Sequence, residues 1–303
     1  AAADEPGWDE RWLDALDRFE AGLLRPDEVR VKGRIIPAEV VGELMDRLVD
    51  RPLPWRERRK VFVSRLAARY ELRTGEVSKA VADVWPSITT SQAWNRLRRP
   101  GPLAELGFDD AEIRRWRATP GDGALADEVR ARFEGVPARY AHVIVDEAQD
   151  LTLLQLRAVM RRADGVTLVG DDAQRSHPAG IGLRRAASLL DTELATMATA
   201  YRMSAEIADW LNDHAAAHGI DAVPLVGIRP TGRPVRRAAD APAALAELGD
   251  RWANVARIGA EEVWVHKGIE YDGVVVDTAG MTAAEVYLAA SRAAHELVIV
   301  GDV

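Results

Sequence analysis

The residues best placed for chemistry are the five in Asp146-Glu147-Ala148-Gln149-Asp150, which directly follow an apolar run over residues 140–145. A carboxylate at the end of a buried strand can hold Mg2+ through water, as in nucleoside triphosphatases. The next carboxylate can orient or deprotonate an attacking water. A lone Asp-Glu pair more often only solvates a loop; the full string after an apolar strand carries more weight. A second apolar run, residues 165–170, also ends in acids, Asp171-Asp172. Residues 151–162 between them have a helical pattern. Strand, helix, strand is the unit of a parallel α/β sheet, and such sheets bind ligands beyond the carboxyl ends of their strands. Both acidic clusters would lie at that edge.

Other chemistries are narrowed by composition. The chain has 303 residues, 48% hydrophobic and 29% charged, with net charge −8 and no cysteine. Disulfides and cysteine-ligated zinc are excluded, and the six histidines are scattered without metal-ligand spacing. No apolar run approaches the roughly 20 residues that cross a bilayer, and residues 1–12 are acidic rather than signal-like. The expectation is a cytoplasmic protein of about two domains with no membrane partner. An acidic balance does not point directly to nucleic acid, but a local basic groove would suffice. Arginines cluster at residues 51–69, 96–99 and 114–117, with Trp55, Trp85, Trp94 and Trp116 nearby. They can track phosphates and stack on bases, or they can be solvated helix faces and core aromatics. The interleaved acids Glu57 and Glu71 favour the second.

The elements that must position these groups fall into three stretches. Residues 1–120 look helical. Trp8, Trp12, Leu16, Phe19 and Leu23 recur at helical spacing, as do Val40, Val41, Leu44, Leu48 and Val49 after Pro37. Further helices are expected over 56–70 and 76–84, ended by Pro86. After Pro120-Gly121 the texture becomes α/β. A second α/β stretch begins near residue 190, with helices over 206–217 and 283–294. Its strand candidates are 223–226, 262–265, 273–277 and 297–301, and the Pro-, Gly- and Arg-rich residues 227–241 read as a loop. The domains expected are 1–120, 121–197 and 198–303.

Five segments, in order over residues 140–303, resemble motifs II to VI of the UvrD/Rep-type superfamily 1 helicases. They are Val143-Ile-Val-Asp-Glu-Ala-Gln-Asp150, Thr167-Leu-Val-Gly-Asp-Asp-Ala-Gln174, Ala200-Tyr-Arg-Met-Ser204 with Ile207, Val265-His-Lys-Gly-Ile-Glu-Tyr-Asp272 with Val274–Val276, and Val286-Tyr-Leu-Ala-Ala-Ser-Arg-Ala293. Any one alone would be weak; the ordered set is specific. Val84-Trp-Pro-Ser-Ile-Thr89 and the helices before it resemble the insertion that the HelD-like branch, which acts on RNA polymerase, carries between motifs Ia and II.

The resemblance implies two RecA-like parallel-sheet domains, the first incomplete, with an N-terminal mainly helical insertion region. It implies ATP and Mg2+ as cofactors, and DNA or RNA polymerase as partner. Asp146 would hold the metal and Glu147 would act as catalytic base. Gln174 would sense the γ-phosphate. Tyr201 would stack on the nucleotide base. Arg202 and Arg292 would meet the γ-phosphate with planar, permanently charged forks. Glu270 would bind the ribose hydroxyl, and Gly268 would let the chain turn close by. Blander readings stand beside these: a core position for Tyr201, surface ion pairs for the two arginines, a turn cap for Gln174, and a solvated loop position for Lys267.

One departure from the family pattern is plain. A phosphate-binding loop needs Gly-x-x-x-x-Gly-Lys-Ser/Thr, whose amides and lysine cradle the phosphates. Lys32, Lys60, Lys79 and Lys267 follow valine, arginine, serine and histidine, so the signature is not in this chain. Its absence suggests a piece of a longer motor or, alternatively, a remnant that keeps the shape as a non-catalytic binding module. The first α/β domain is then expected to expose a sheet edge, and the span between motifs IV and V reads as short.

Overall fold

The computed structural model describes residues 7–105, 107–115, 122–136 and 139–302. Trp116 and the Pro120-Gly121 boundary lie outside them. The architecture is mixed α/β with parallel sheets and many helices, as the sequence predicts, and is consistent with RecA-like domains. The chain divides into two compact units. One comprises Ala1–Ile144 and Leu151–Thr167, the other Val145–Asp150 and Leu168–Val303. Among the described residues no helix is long and apolar enough to cross a membrane.

The first unit begins with helix α1 (Trp8–Leu23), strands β1 (Val29–Val31) and β2 (Arg34–Ile36), and helices α2 (Ala38–Val49), α3 (Trp55–Arg69) and α4 (Thr74–Ala80). It continues with α5 (Thr90–Leu97), α6 (Pro100–Glu105), α7 (Asp110–Arg115) and α8 (Asp122–Phe133). Strand β3 (Tyr140–Val145), helix α9 (Leu153–Arg162) and strand β4 (Ala163–Leu168) follow, and β3 and β4 pair as a two-stranded sheet. The region is mainly helical, and the β1–β2 hairpin is an element that the helical reading of residues 1–120 did not include. Its two turn residues, Lys32 and Gly33, both have positive φ, the geometry that suits the twist of a tight hairpin.

The core of this unit is aromatic. Trp55 packs its ring 5.4 Å from Trp85 and 5.7 Å from Phe133, and Phe62 lies 5.0 Å from Trp85. Trp55 and Trp85 are fully buried, so they are not available to stack on nucleic-acid bases. Two arginines of the basic run are likewise spent internally. Arg58 bonds Glu20 and the Val49 carbonyl, and Arg59 bonds the carbonyls of Trp85 and Ser78. Buried Glu128 on α8 gathers Arg132, Arg157 and Arg161.

The second unit contains helix α10 (Leu183–Leu189), strand β5 (Thr199–Ala200), helix α11 (Ala205–His218), and strands β6 (Val226–Gly227) and β7 (Arg236–Ala238). Helix α12 (Ala241–Gly249), strands β8 (Val255–Ile258) and β9 (Tyr271–Asp277), helix α13 (Ala283–Ala290) and strand β10 (Ala293–Val300) complete it. Four strands form a parallel sheet in the order β7-β10-β9-β8. The valine run of β9 is apolar on both faces, as a strand covered on both sides must be. Val274 and Val276 join Leu297 and Ile299 in the cluster with α11 and α13, whereas Val275 joins Val298 and Val300 in the cluster with α12. Each such side chain removed from water contributes about 1.5–3 kcal/mol.

Three expectations here, two strands and a loop, are corrected. Residues 262–265 are turn, not strand. Glu262 N–H bonds the Gly259 carbonyl at 3.1 Å and Val265 N–H bonds that of Glu262 at 2.9 Å, so local turns satisfy the backbone in place of a ladder. Residues 227–241 are not all loop, because β7 extends the sheet there. Residues 223–226 supply strand only at Val226, within the short parallel pair of β5 and β6.

Candidate functional site

The acidic string, Gln174, Tyr201, Arg202, Lys267, Gly268, Glu270 and Arg292 all belong to the second unit. The string leaves the end of β3. Its turn is tied to the residue after β4: Val169 N–H bonds the Val145 carbonyl at 2.8 Å, and Ala148 N–H bonds the Val169 carbonyl at 2.9 Å. This places Asp146 and Asp171 at neighbouring strand ends. Glu147 holds a left-handed backbone, φ 52°, which is uncommon for a residue with a side chain and is found where surrounding contacts impose it.

A continuous path of hydrogen bonds runs from Glu147 to Arg292. Gln149, wholly buried, donates from Nε2 to Glu147 Oε2 at 2.6 Å. Its Oε1 accepts the Asp171 N–H at 3.2 Å. Asp171 Oδ2 accepts from Gln174 Nε2 at 2.9 Å, and Gln174 Oε1 accepts from Arg292 at 2.5 Å. Gly170 makes room for this path: a Cβ there would stand 2.0 Å from Gln149 Oε1.

Arg292 is 8% exposed, at the end of α13 where the chain enters β10. Burial lowers the affinity of its guanidinium for its proton, and the charges of Glu147, Glu270 and Asp171 act in the opposite direction. An arginine stays charged regardless. Burial, reinforced by the charge of Asp171, pushes the Tyr287 phenol up to about 12.

Lys267 is the cation that sequence reasoning set aside. It is 13% exposed rather than solvated. Its ammonium bonds an Asp150 oxygen, the Gln174 carbonyl at 2.9 Å and Ser176 Oγ at 3.1 Å, and lies 3.4 Å from Glu147 Oε2. Asp150 also accepts the N–H groups of Ser176 at 2.7 Å and His177 at 3.0 Å and the Ser176 hydroxyl at 2.6 Å. Burial alone would raise the Asp150 carboxyl; the bonds from Lys267, Ser176 and His177 outweigh it and hold it below the usual carboxylate range.

The remaining candidates sit further out. Tyr201 is 67% exposed, which rules out a core position. Arg202 and Glu270 pair with each other, and both side chains are exposed. Gly268 takes φ 77° in the turns before β9. Asp146 is exposed, with one oxygen held by the Glu147 N–H at 2.9 Å. Among the described residues no three acidic or histidine side chains converge to hold a metal. A divalent ion would take Asp146 and complete its shell from water or phosphate oxygens, as Mg2+ commonly does.

No protein-family model matches the sequence, and no curated protein matches it. Solved structures with some likeness include an arterivirus helicase, nonstructural protein 10, at 17% identity and TM-score 0.39, over 56% of this chain and 41% of that one. The same helicase in complex with DNA shows 16% identity and TM-score 0.39, over 55% and 41%. The PRRSV nsp10 helicase shows 16% identity and TM-score 0.24, over 52% and 35%. The chain therefore matches less than half the length of those proteins.

Proposed function

We propose that the second unit is the nucleotide-sensing portion of a superfamily 1 helicase-like ATPase, one that handles a nucleoside triphosphate with Mg2+. The observation that carries this reading is the path from Glu147 through Gln149, Asp171 and Gln174 to Arg292. It couples a candidate base to a buried guanidinium within one unit. When bound, Mg2+ would neutralise phosphate charge. Asp146 would hold it; Glu147 would orient and deprotonate the attacking water; Arg292, with Arg202, would stabilise charge on the transferred phosphoryl. Tyr201 would stack on the base, and Glu270 would take the ribose hydroxyl beside Gly268.

The amide cradle and lysine of a phosphate-binding loop are not among these residues. We therefore propose weak Mg·ATP binding and no appreciable ATPase or unwinding by this chain alone. The test is a titration with a fluorescent ATP analogue and Mg2+. Binding that weakens at least tenfold in Arg292→Met supports the reading, and binding indifferent to both Arg292→Met and Glu147→Gln sinks it. ATP turnover that vanishes in Glu147→Gln would overturn the inactivity alone.

A second reading rests on Val84-Trp-Pro-Ser-Ile-Thr89 and the helices before it: a non-catalytic helicase-like module of the HelD-like kind that contacts RNA polymerase. Retention on immobilised RNA polymerase at low salt would support it, and no retention would count against it. DNA as partner is tested by a salt titration of binding, since phosphate contacts weaken steeply with salt.

A further inference from the structure

Lys267 stands where three pieces of chain meet: the end of the acidic string, the turn at residues 174–177, and the turns that lead into β9. An ammonium has three protons to donate. Here they face Asp150, the Gln174 carbonyl and Ser176 Oγ, with Glu147 as a fourth neighbour at 3.4 Å. Its donors are therefore spent on the protein, and it has none left for a phosphate without breaking one of these bonds. Gln174 is consequently gripped at both ends. Lys267 holds its backbone carbonyl; Asp171 and Arg292 hold its side-chain amide.

We propose that Lys267 is the positioning residue of this site: it fastens the Asp150 end of the acidic string to the Gln174 backbone, and thereby sets where the Gln174 amide stands between Asp171 and Arg292. An intrachain pair of this kind adds little net stability, because desolvating both charges offsets their attraction. Its value lies in the geometry it imposes. The role as nucleotide-site positioner rests on the reading above, but the bond pattern is testable without nucleotide.

The chain has four lysines, and the other three, Lys32, Lys60 and Lys79, are exposed. In the wild-type chain labelled with 15N-lysine, one ammonium resonance should exchange slowly with water and remain visible at neutral pH. If all four exchange fast, Lys267 is not held and the inference fails. The chain also has four glutamines and no cysteine. In Lys267→Cys the Gln174 side-chain amide resonance should shift while that of Gln92, in the other unit, stays; aminoethylation of the new thiol, which restores an ammonium, should return it. A Gln174 resonance unmoved in Lys267→Cys would overturn the proposal. Should that variant not fold, Asp150→Asn removes the same link from the other side and must give the same shift. Mg·nucleotide affinity provides a separate reading. If wild type binds no nucleotide, the functional proposal falls while the resonance tests still decide the role of Lys267.

Discussion

Arg292 and Gln174 are joined at 2.5 Å across 118 residues of sequence, with the guanidinium buried and the amide oxygen as its acceptor. The arginine is thus aimed by the protein alone. A preformed donor avoids reorganisation cost when charge develops beside it.

The two partners differ in what their loss does to stability. Arg292→Met removes a buried charge and its desolvation cost, which offsets the Gln174 amide oxygen left without its donor, so stability should change by about 1 kcal/mol or less. Gln174→Leu leaves both Arg292 and Asp171 short of a partner, and should cost about 1–3 kcal/mol. Urea denaturation of the two variants checks the ordering. A larger loss in Arg292→Met would show that the charge is a net stabiliser here.

Gly170 should tolerate no side chain. A Cβ at that position meets the Gln149 amide at 2.0 Å and the Ala148 nitrogen at 3.1 Å. Gly170→Ala must expel the buried amide from its bonds to Glu147 and Asp171, at an expected cost of about 1–3 kcal/mol. Thermal melting measures the loss, and an unchanged melting temperature would mean that the turn shifts freely.

The acid stability of the first unit should depend on Glu128. Burial would raise this carboxyl, but Arg157, Arg161 and Arg132 outweigh it and lower it from 4.5 to about 2. A depressed carboxyl stabilises the fold above its unfolded value and loses that contribution as pH falls towards the folded value. Stability should therefore decline between about pH 4.5 and pH 2 as Glu128 protonates. In Glu128→Gln the protein should be less stable at neutral pH, and that stretch of the profile should flatten. Urea midpoints across the acid range test this, and an identical slope in the variant would refute it.

Much of the second unit was legible from local pattern. The valine run of β9 and the apolar end of β10 read as buried strands because both faces are covered. Thr282 and Glu285 form a reciprocal cap at the start of α13, a signal of fixed spacing. The hairpin at Val29–Ile36 was also written locally, in alternating apolar residues around Lys32-Gly33, but helical neighbours obscured it. Residues 262–265 misled for the opposite reason. Their apolar residues suit a strand, and only the closing of successive turns shows otherwise. The position of Lys267 could not be read at all, since its partners Asp150 and Gln174 lie 117 and 93 residues away.

The two compact units are interleaved along the polypeptide: Val145–Asp150 belongs with the later residues and Leu151–Thr167 with the earlier ones. No single scission can release both intact. A break before Val145 strips α9 and β4 from the first unit, and one after Thr167 removes the acidic string from the second. Whichever of these cuts is made, one half would lack a strip of its own fabric, and mixing the halves would have to restore it by complementation.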